Sequence, residues 1–200
     1  DYAAAHRTPG SRLSDAKLKL LNRAAIATCW RQGHGLAGDR FISDPMSCKF
    51  DPAVLQCTGA GPDSCLTAGE VATARAFYSG PTNRDGKASY FGWLPGSEMP
   101  DTFGWSFLQT PIDDQPPFGG LFKWVFGADW DWKTFDFDRD MAAVEARLDP
   151  IVNDATRGSL DAFAARGGKL IIYHGLADTL VAPAQSVAFY ERHAAQLGGA

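Results

Sequence analysis

The sequence predicts an α/β fold, and the prediction rests on the order of elements near the C-terminus. Residues 169–173, KLIIY, form a short apolar block between a pair of glycines and a polar loop. Such a block is typical of a strand that is buried on both faces. Helical periodicity precedes the block, and an acid-bearing loop and a second helix follow it. Helix, buried strand, loop and helix form the repeat that builds a parallel sheet.

Two helices are predicted in the N-terminal part. Ser14 is a suitable N-cap, and apolar residues follow it at helical spacing, so the sequence predicts a helix over residues 14–28. Thr67 and Glu70 stand in the register of a capping box ahead of a second apolar face. They predict a helix over residues 68–78.

The segment from residue 80 to residue 137 is rich in aromatic residues, proline and glycine. Long loops with so many large rings are not expected to be disordered, because the rings must be buried somewhere. Each single ring is expected to belong to a core. The segment as a whole could also place some rings at the mouth of a site for a flat ligand.

The C-terminal third becomes regular again. It predicts a short helix that carries Met141, Val144 and Leu148 and ends at Pro150, a helix from Ser159 through Phe163, and a helix over residues 183–196.

Composition excludes several classes of partner. The chain has 19 basic and 23 acidic residues and a net charge of -4, and the acids are dispersed, so no basic face for nucleic acid is expected. No apolar stretch approaches the length of a membrane span, and residues 1–15 lack the apolar core of a signal peptide. We therefore expect that a leader was removed or that the chain begins inside a longer protein.

The four cysteines favour disulfides in an exported protein over free thiols. Their spacing is not that of a zinc ribbon, and the four histidines do not cluster around them. Four cysteines allow three connectivities, and spacing does not choose among them.

Asp178, just past the predicted strand, is the candidate catalytic residue. An acid at this end of a strand could orient a catalytic histidine, or it could cap the following turn. His174 lies four residues earlier, and we expect a structural histidine there because a base on the same short loop would be poorly placed to face the acid. No G-x-S-x-G motif occurs, and His193 falls inside a predicted helix.

The run DWDWKTFDFDRD, residues 129–140, has two interpretations. Five aspartates could supply oxygen ligands to calcium, but the spacing is not that of an EF-hand. Exposed acids alternating with buried rings, with Asp138 or Asp140 as a helix cap, is the favoured account.

Three blocks of sequence together resemble the tannase and feruloyl esterase family of secreted α/β-hydrolases, which includes mono(2-hydroxyethyl) terephthalate hydrolases. They are FISDPMSCKFDPAVLQC with DSCLTAGEVATARAFYSGP, then DWDWKTFDFDRD, then FAARGGKLIIYHGLADTLVAPAQSVAFYER. The resemblance implies part of an α/β-hydrolase sheet carrying a large, loop-rich lid domain with disulfides. Residues 1–140 would be the lid, and residues 141–200 would return to the hydrolase domain.

The resemblance also implies roles for particular residues. Asp178 matches the family's triad acid in the HG-x-x-D loop, and the implied disulfides are Cys29 with Cys48 and Cys57 with Cys65. The family's serine lies upstream of the lid and its histidine downstream of the acid, so both are expected outside this sequence. We therefore expect an internal portion of a longer or processed enzyme that is inactive alone.

Calcium is expected to bind weakly or not at all. The family's lid usually holds calcium in a C-D-x-x-D-G-x-x-D-G loop, whereas this chain has CWRQGHGLAGDRFI. Trp30 stands at the first aspartate position, Gly33 or His34 at the second, and Asp39 is the carboxylate that remains. The disulfide from Cys29 is expected to hold the loop instead, and no other cofactor is expected.

The function implied is that of a secreted or periplasmic serine esterase that hydrolyses small aromatic esters of feruloyl, galloyl or terephthaloyl type. Phe122, Trp124 and Phe126 are the candidate substrate-binding rings, and the remainder of the hydrolase domain is the expected partner. Nucleic acid and membrane are not expected partners. The alternative is a non-catalytic lid that binds aromatic ligands, or a degenerate hydrolase homologue.

Overall fold

A computed structural model describes residues 1–59, 64–100, 103–152 and 158–198. In these ranges the chain is built from helices joined by long loops. The helices are α1 (Tyr2–His6), α2 (Asp15–Arg31), α3 (Ala68–Ser79), α4 (Trp105–Gln109), α5 (Gly119–Phe126), α6 (Phe137–Val152), α7 (Asp161–Ala165) and α8 (Pro183–Gln196), with 3-10 turns at Pro52–Leu55 and Trp132–Thr134.

Local capping signals explain where α2 and α3 begin. The Ser14 hydroxyl accepts a hydrogen bond from the Lys17 amide at 3.3 Å. At α3, the Thr67 amide donates to the Glu70 carboxylate at 2.7 Å, and the Glu70 amide donates to the Thr67 hydroxyl at 3.2 Å. Both predicted helices are confirmed, and α2 continues to Arg31.

The main core lies between α2, α3 and α4, and aromatic rings of the long loops complete it. Phe77 of α3 and Trp105 of α4 are fully buried, with ring centroids 4.5 Å apart. Ala182, which directly precedes α8, is also buried in this core. The C-terminal segment is therefore packed onto the N-terminal one. The members of the core are Leu13, Leu18, Leu21, Leu66, Val71, Ala74, Phe77, Trp93, Trp105, Leu108 and Ala182.

Two disulfides close the irregular segment between α2 and α3. Cys29 is bonded to Cys48, and Cys57 is bonded to Cys65. This is the pairing that the family resemblance implied. Cys29 and Cys48 also belong to a small apolar cluster with Ile26 and Ile42.

The segment 169–173 differs from its prediction. It is extended but belongs to no ladder, and the described residues contain isolated bridges instead of a sheet. Ile171 is 87% exposed and Tyr173 is 94% exposed. The prediction of a strand buried on both faces is wrong for this chain, because burial of a strand requires neighbours on its edges and faces.

The C-terminal helices largely follow their predictions. Helix α6 continues through Pro150 to Val152, where the proline removes one backbone donor close to the helix end. The Ser159 hydroxyl accepts from the Asp161 amide at 3.0 Å at the start of α7. No helix in the described ranges is long and apolar enough to cross a membrane.

Candidate active site

Asp178 lies in a turn between the extended segment and α8, and backbone amides fix its carboxylate. The Asp178 amide donates to the Gly175 carbonyl at 3.0 Å. Its Oδ1 atom accepts from the amides of Leu180 at 2.8 Å and Val181 at 3.1 Å. The carboxylate therefore caps the turn, which is one of the two roles that the sequence offered for Asp178.

The environment of Asp178 keeps its carboxyl group ionised at neutral pH. Partial burial raises the pKa of Asp178, but the hydrogen bonds from Leu180, Val181 and His174 outweigh burial, so the pKa lies below its ordinary value. The side chain is 35% exposed. A triad acid must be ionised and have an oxygen that can accept from the histidine, so the capping role does not exclude the catalytic one.

His174 faces Asp178 directly. Its Nε2 atom lies 3.3 Å from Asp178 Oδ2, and its Nδ1 atom lies 2.7 Å from the Ser186 hydroxyl. The expectation that His174 would be poorly placed to face the acid is wrong, because the turn at Gly175 folds the chain back. Ser186 was missed, since a contact over 12 positions across a turn leaves no periodic signal in the sequence.

The group of Ser186, His174 and Asp178 contains the residue types of a hydrolase triad without its architecture. Ser186 lies within the regular helix α8, whereas a nucleophilic serine needs a sharp turn that exposes its oxygen. The ring nitrogens are also used in the reverse order of the usual triad, in which Nε2 faces the serine and Nδ1 the acid. The geometry indicates a supporting network around Asp178.

His193 is a core histidine in α8. It is 3% exposed, and its ring centroid lies 4.4 Å from that of Phe189. Its Nδ1 atom is 2.9 Å from the Gln196 side-chain oxygen. Burial within a helix agrees with the sequence argument that placed the catalytic base elsewhere.

The acid loop is attached to the aromatic segment. The Thr179 hydroxyl donates to the Phe103 carbonyl, and the Tyr90 hydroxyl donates to the Gln185 side chain. The Phe107 ring lies 5.7 Å from Phe103 and 5.8 Å from Phe118 between centroids. Phe103 and Phe118 are each 56% exposed. These rings were not singled out from the sequence. They are linked to the acid loop by the hydrogen bond between Thr179, which follows Asp178, and the backbone of Phe103.

The three predicted substrate-binding rings do not share one face of α5. Phe122 and Phe126 stack on Trp130, with centroids 5.0 and 6.5 Å away. Trp124 is 48% exposed, and the Arg147 guanidinium lies 5.4 Å from its ring centroid. Trp124 therefore presents a ring to solvent while Phe122 and Phe126 are half-buried, and their predicted role stays a prediction.

The acidic run serves as a helix cap. Asp136 accepts hydrogen bonds from the amides of Asp138 at 2.9 Å and Arg139 at 3.1 Å, while its own amide donates to Asp140 at 2.9 Å. Arg84 lies 2.6 Å from Asp136 in an ion pair. These contacts favour the capping account, with Asp136 as the N-terminal cap instead of Asp138 or Asp140.

The loop that corresponds to the family's calcium site does not fit the ion. The Trp30 indole donates to the Phe41 carbonyl at 3.4 Å, and a Cβ atom at Gly35 would lie 2.9 Å from the Trp30 ring. An indole thus occupies the loop in which Asp39 is the remaining carboxylate of the motif. Across the described ranges, no three His, Cys, Asp or Glu side chains are grouped to hold a metal. The expectation of weak calcium binding stays a prediction.

Comparisons with known proteins identify the same family that the three blocks of sequence resemble. The profile described as "Tannase and feruloyl esterase" matches residues 3–114 and 118–200. An uncharacterized esterase of Xanthomonas campestris pv. campestris is 32% identical over 92% of this chain and 34% of its own length. Mono(2-hydroxyethyl) terephthalate hydrolase of Piscinibacter sakaiensis is 28% identical over 94% of this chain and 38% of its own length.

A solved structure shares the fold. The crystal structure of feruloyl esterase B from Aspergillus oryzae superposes with a TM-score of 0.81 at 22% identity, over 100% of this chain and 39% of that one. The chain thus spans about a third of the length of the curated relatives that it matches. The profile match covers nearly all of its residues, and the chain belongs to the tannase and feruloyl esterase family.

Proposed function

We propose that the chain is the lid and acid-loop portion of a serine esterase that hydrolyses aromatic carboxylic esters, with Asp178 as the triad acid. The observation that carries the proposal is the Asp178 carboxylate itself. Two backbone amides hold its Oδ1 atom at the end of an extended segment, and the side chain stays partly exposed. Family membership supports the same role for this position.

The chemistry assigned to Asp178 is electrostatic. A serine attacks the ester carbonyl, and a histidine takes the serine proton; both residues come from outside these 200 positions. Asp178 accepts a hydrogen bond from that histidine and stabilises the imidazolium that forms. Its pKa lies below the ordinary value, which favours the negative carboxylate that this role requires.

The boundary between lid and hydrolase domain is placed near residue 140. Residues 141–200 carry the extended segment whose outer side chains, Ile171 and Tyr173, are exposed here. An exposed apolar pair on extended backbone is suited to pairing with further strands. The proposed partner on this side is the remainder of the hydrolase domain.

Two groups of rings are candidates to bind the acyl group. Phe122, Trp124 and Phe126 are the group predicted from the sequence. Phe103, with Phe107 and Phe118, is linked to the acid loop through Thr179. A feruloyl, galloyl or terephthaloyl ring could stack on either group.

Alanine substitutions separate the two groups. We expect Phe103→Ala in the full-length protein to raise KM for methyl ferulate about tenfold, because a stacking surface beside the acid loop is lost. Phe122→Ala is the matched variant. A rise in KM that is confined to Phe122→Ala would contradict the placement at Phe103 and favour the rings of α5.

The exported location is part of the proposal. The two disulfides persist in oxidising compartments, which favours a secreted or periplasmic protein.

The test of the function compares the full-length protein with the 200-residue chain. The full-length protein should hydrolyse a 4-nitrophenyl aromatic ester and lose activity with a serine-directed inhibitor, whereas the 200-residue chain should not hydrolyse it. Inhibitor-sensitive turnover by the chain alone would contradict the proposal that serine and histidine lie outside. An inactive full-length protein that binds aromatic acids would favour the non-catalytic alternative.

A further inference from the structure

The two oxygens of the Asp178 carboxylate are held in different ways. Oδ1 accepts from two backbone amides, at 2.8 and 3.1 Å, which fixes its position with the turn. Oδ2 lies 3.3 Å from His174 Nε2. Because two amides already occupy Oδ1, Oδ2 is the oxygen left to meet a catalytic histidine, and the contact with His174 helps to set where that oxygen points.

The hydrogen-bond partners define the tautomer of a neutral His174 ring. An ionised carboxylate can only accept, so the proton lies on Nε2, where it is donated to Oδ2. The neutral ring then accepts at Nδ1, and the Ser186 hydroxyl donates to it at 2.7 Å. Ser186 thus holds His174 in the tautomer that Asp178 requires.

Ser186 is itself anchored to the body of the protein. It lies in α8, whose preceding residue Ala182 is fully buried in the main core. Its neighbour Gln185 accepts a hydrogen bond from Tyr90. The His174 side chain is 16% exposed, so the network is largely shielded from competing water.

We propose that His174 and Ser186 are positioning residues that orient the Asp178 carboxylate for catalysis. The proposal rests on the proposed role of Asp178. Rotation of the carboxylate about its Cβ–Cγ bond would move both oxygens, so the amide bonds to Oδ1 restrain one side of the group and the bond from His174 to Oδ2 restrains the other. Ser186, His174 and Asp178 then act in series, from α8 to the carboxylate that orients the catalytic histidine.

Two substitutions of His174 isolate its Nε2 donor. The glutamine amide nitrogen reaches the position of Nε2, whereas the asparagine amide reaches that of Nδ1. In the full-length enzyme we expect His174→Asn to lower kcat about tenfold with KM for a 4-nitrophenyl aromatic ester unchanged, because one restraining hydrogen bond is lost. His174→Gln should keep kcat within about threefold of the wild-type value.

Ser186→Ala tests the second link without removing the ring. It should lower kcat about threefold with KM unchanged, since His174 can then adopt the wrong tautomer. Wild-type kcat in both His174→Asn and Ser186→Ala, at wild-type thermal midpoints, would overturn the proposal. An equal loss in His174→Gln and His174→Asn would also overturn it, because packing alone would then explain the effect.

Asp178→Asn separates failure of this inference from failure of the proposed function. If Asp178→Asn is fully active, the proposed function fails and the inference fails with it. If Asp178→Asn is impaired while His174→Asn and Ser186→Ala match the wild type, the inference alone fails. Complete loss of inhibitor labelling in Ser186→Ala would make Ser186 the nucleophile and overturn the positioning role.

Discussion

Glu98 shows how a single buried residue ties loops to helices. Its carboxylate accepts hydrogen bonds from the Tyr78 hydroxyl at 2.6 Å, the Asn22 side chain at 2.8 Å and the Gly96 amide at 2.8 Å. Burial raises the pKa of Glu98, and the three donors offset this effect only in part. Glu98 thus connects α2, α3 and the loop at residue 96 through a buried carboxyl group whose pKa is raised.

Glu98 should make the free energy of unfolding depend on pH. Its pKa is higher in the folded state than the value of about 4.3 in an unfolded chain. At pH values between these two pKa values, the folded state therefore binds more protons than the unfolded state. The stabilising contribution of Glu98 is fully present below its pKa in the unfolded chain. It is lost as the pH rises through its pKa in the folded state. We expect the free energy of unfolding of Glu98→Gln to rise relative to wild type between pH 4 and pH 8.

Urea unfolding at both pH values measures this difference. Glu145→Gln, at an exposed position of α6, is the matched control and should show no such trend. A free energy of unfolding of Glu98→Gln that falls relative to wild type as pH rises would contradict the raised pKa.

At the residue scale, the sequence predicted Asp178 but not the partners that hold it. The position of Asp178 after an apolar block was a local signal. The bonds from His174 and Ser186 depend on a reversal at Gly175 and on where α8 begins, which are properties of the folded chain. Phe122 and Trp124 lie two positions apart in a helix and so face different directions, and their predicted substrate-binding role stays a prediction.

At the element scale, the helices were predictable and the strand was not. Caps such as Ser14 and the Thr67–Glu70 box are satisfied within four residues, so the local sequence carries the signal. Burial of residues 169–173 depends on neighbouring strands that no described residue supplies. The apolar pattern of this segment is therefore not matched by burial in the described part of the chain.

The exposed segment predicts opposite effects in two forms of the protein. Ile171→Ser should reduce self-association of the 200-residue chain, because an exposed apolar edge is removed. The same change should destabilise the full-length protein by about 2 to 4 kcal/mol, because the side chain is buried there against other strands. Analytical ultracentrifugation and urea unfolding measure the two effects.

Leu36→Ser provides the matched control for this prediction, since Leu36 is 73% exposed in the loop that follows α2. It should leave the stability of the full-length protein within about 0.5 kcal/mol of wild type. If Ile171→Ser changes the stability of the full-length protein as little as Leu36→Ser does, the result would argue against a sheet at this position.

At the scale of the whole molecule, the N-terminal helices and the acid loop around Asp178 form one packed unit. Ala182 shares the main core with α2, α3 and α4, and the Thr179 hydroxyl bonds to the backbone of Phe103. If the proposed lid binds substrate, this packing connects it directly to the acid loop. The arrangement also shows how a loop-rich segment closed by two disulfides can hold the Asp178 carboxylate in a defined place.

The most direct measurement of the central claim is kcat of Asp178→Asn in the full-length protein on a 4-nitrophenyl aromatic ester. We expect kcat to fall at least about a thousandfold at neutral pH with an unchanged thermal midpoint, because the catalytic histidine loses its orienting charge. Asp85→Asn, at an exposed turn, should keep wild-type kcat. Wild-type kcat in folded Asp178→Asn would contradict the assignment of Asp178 as the triad acid.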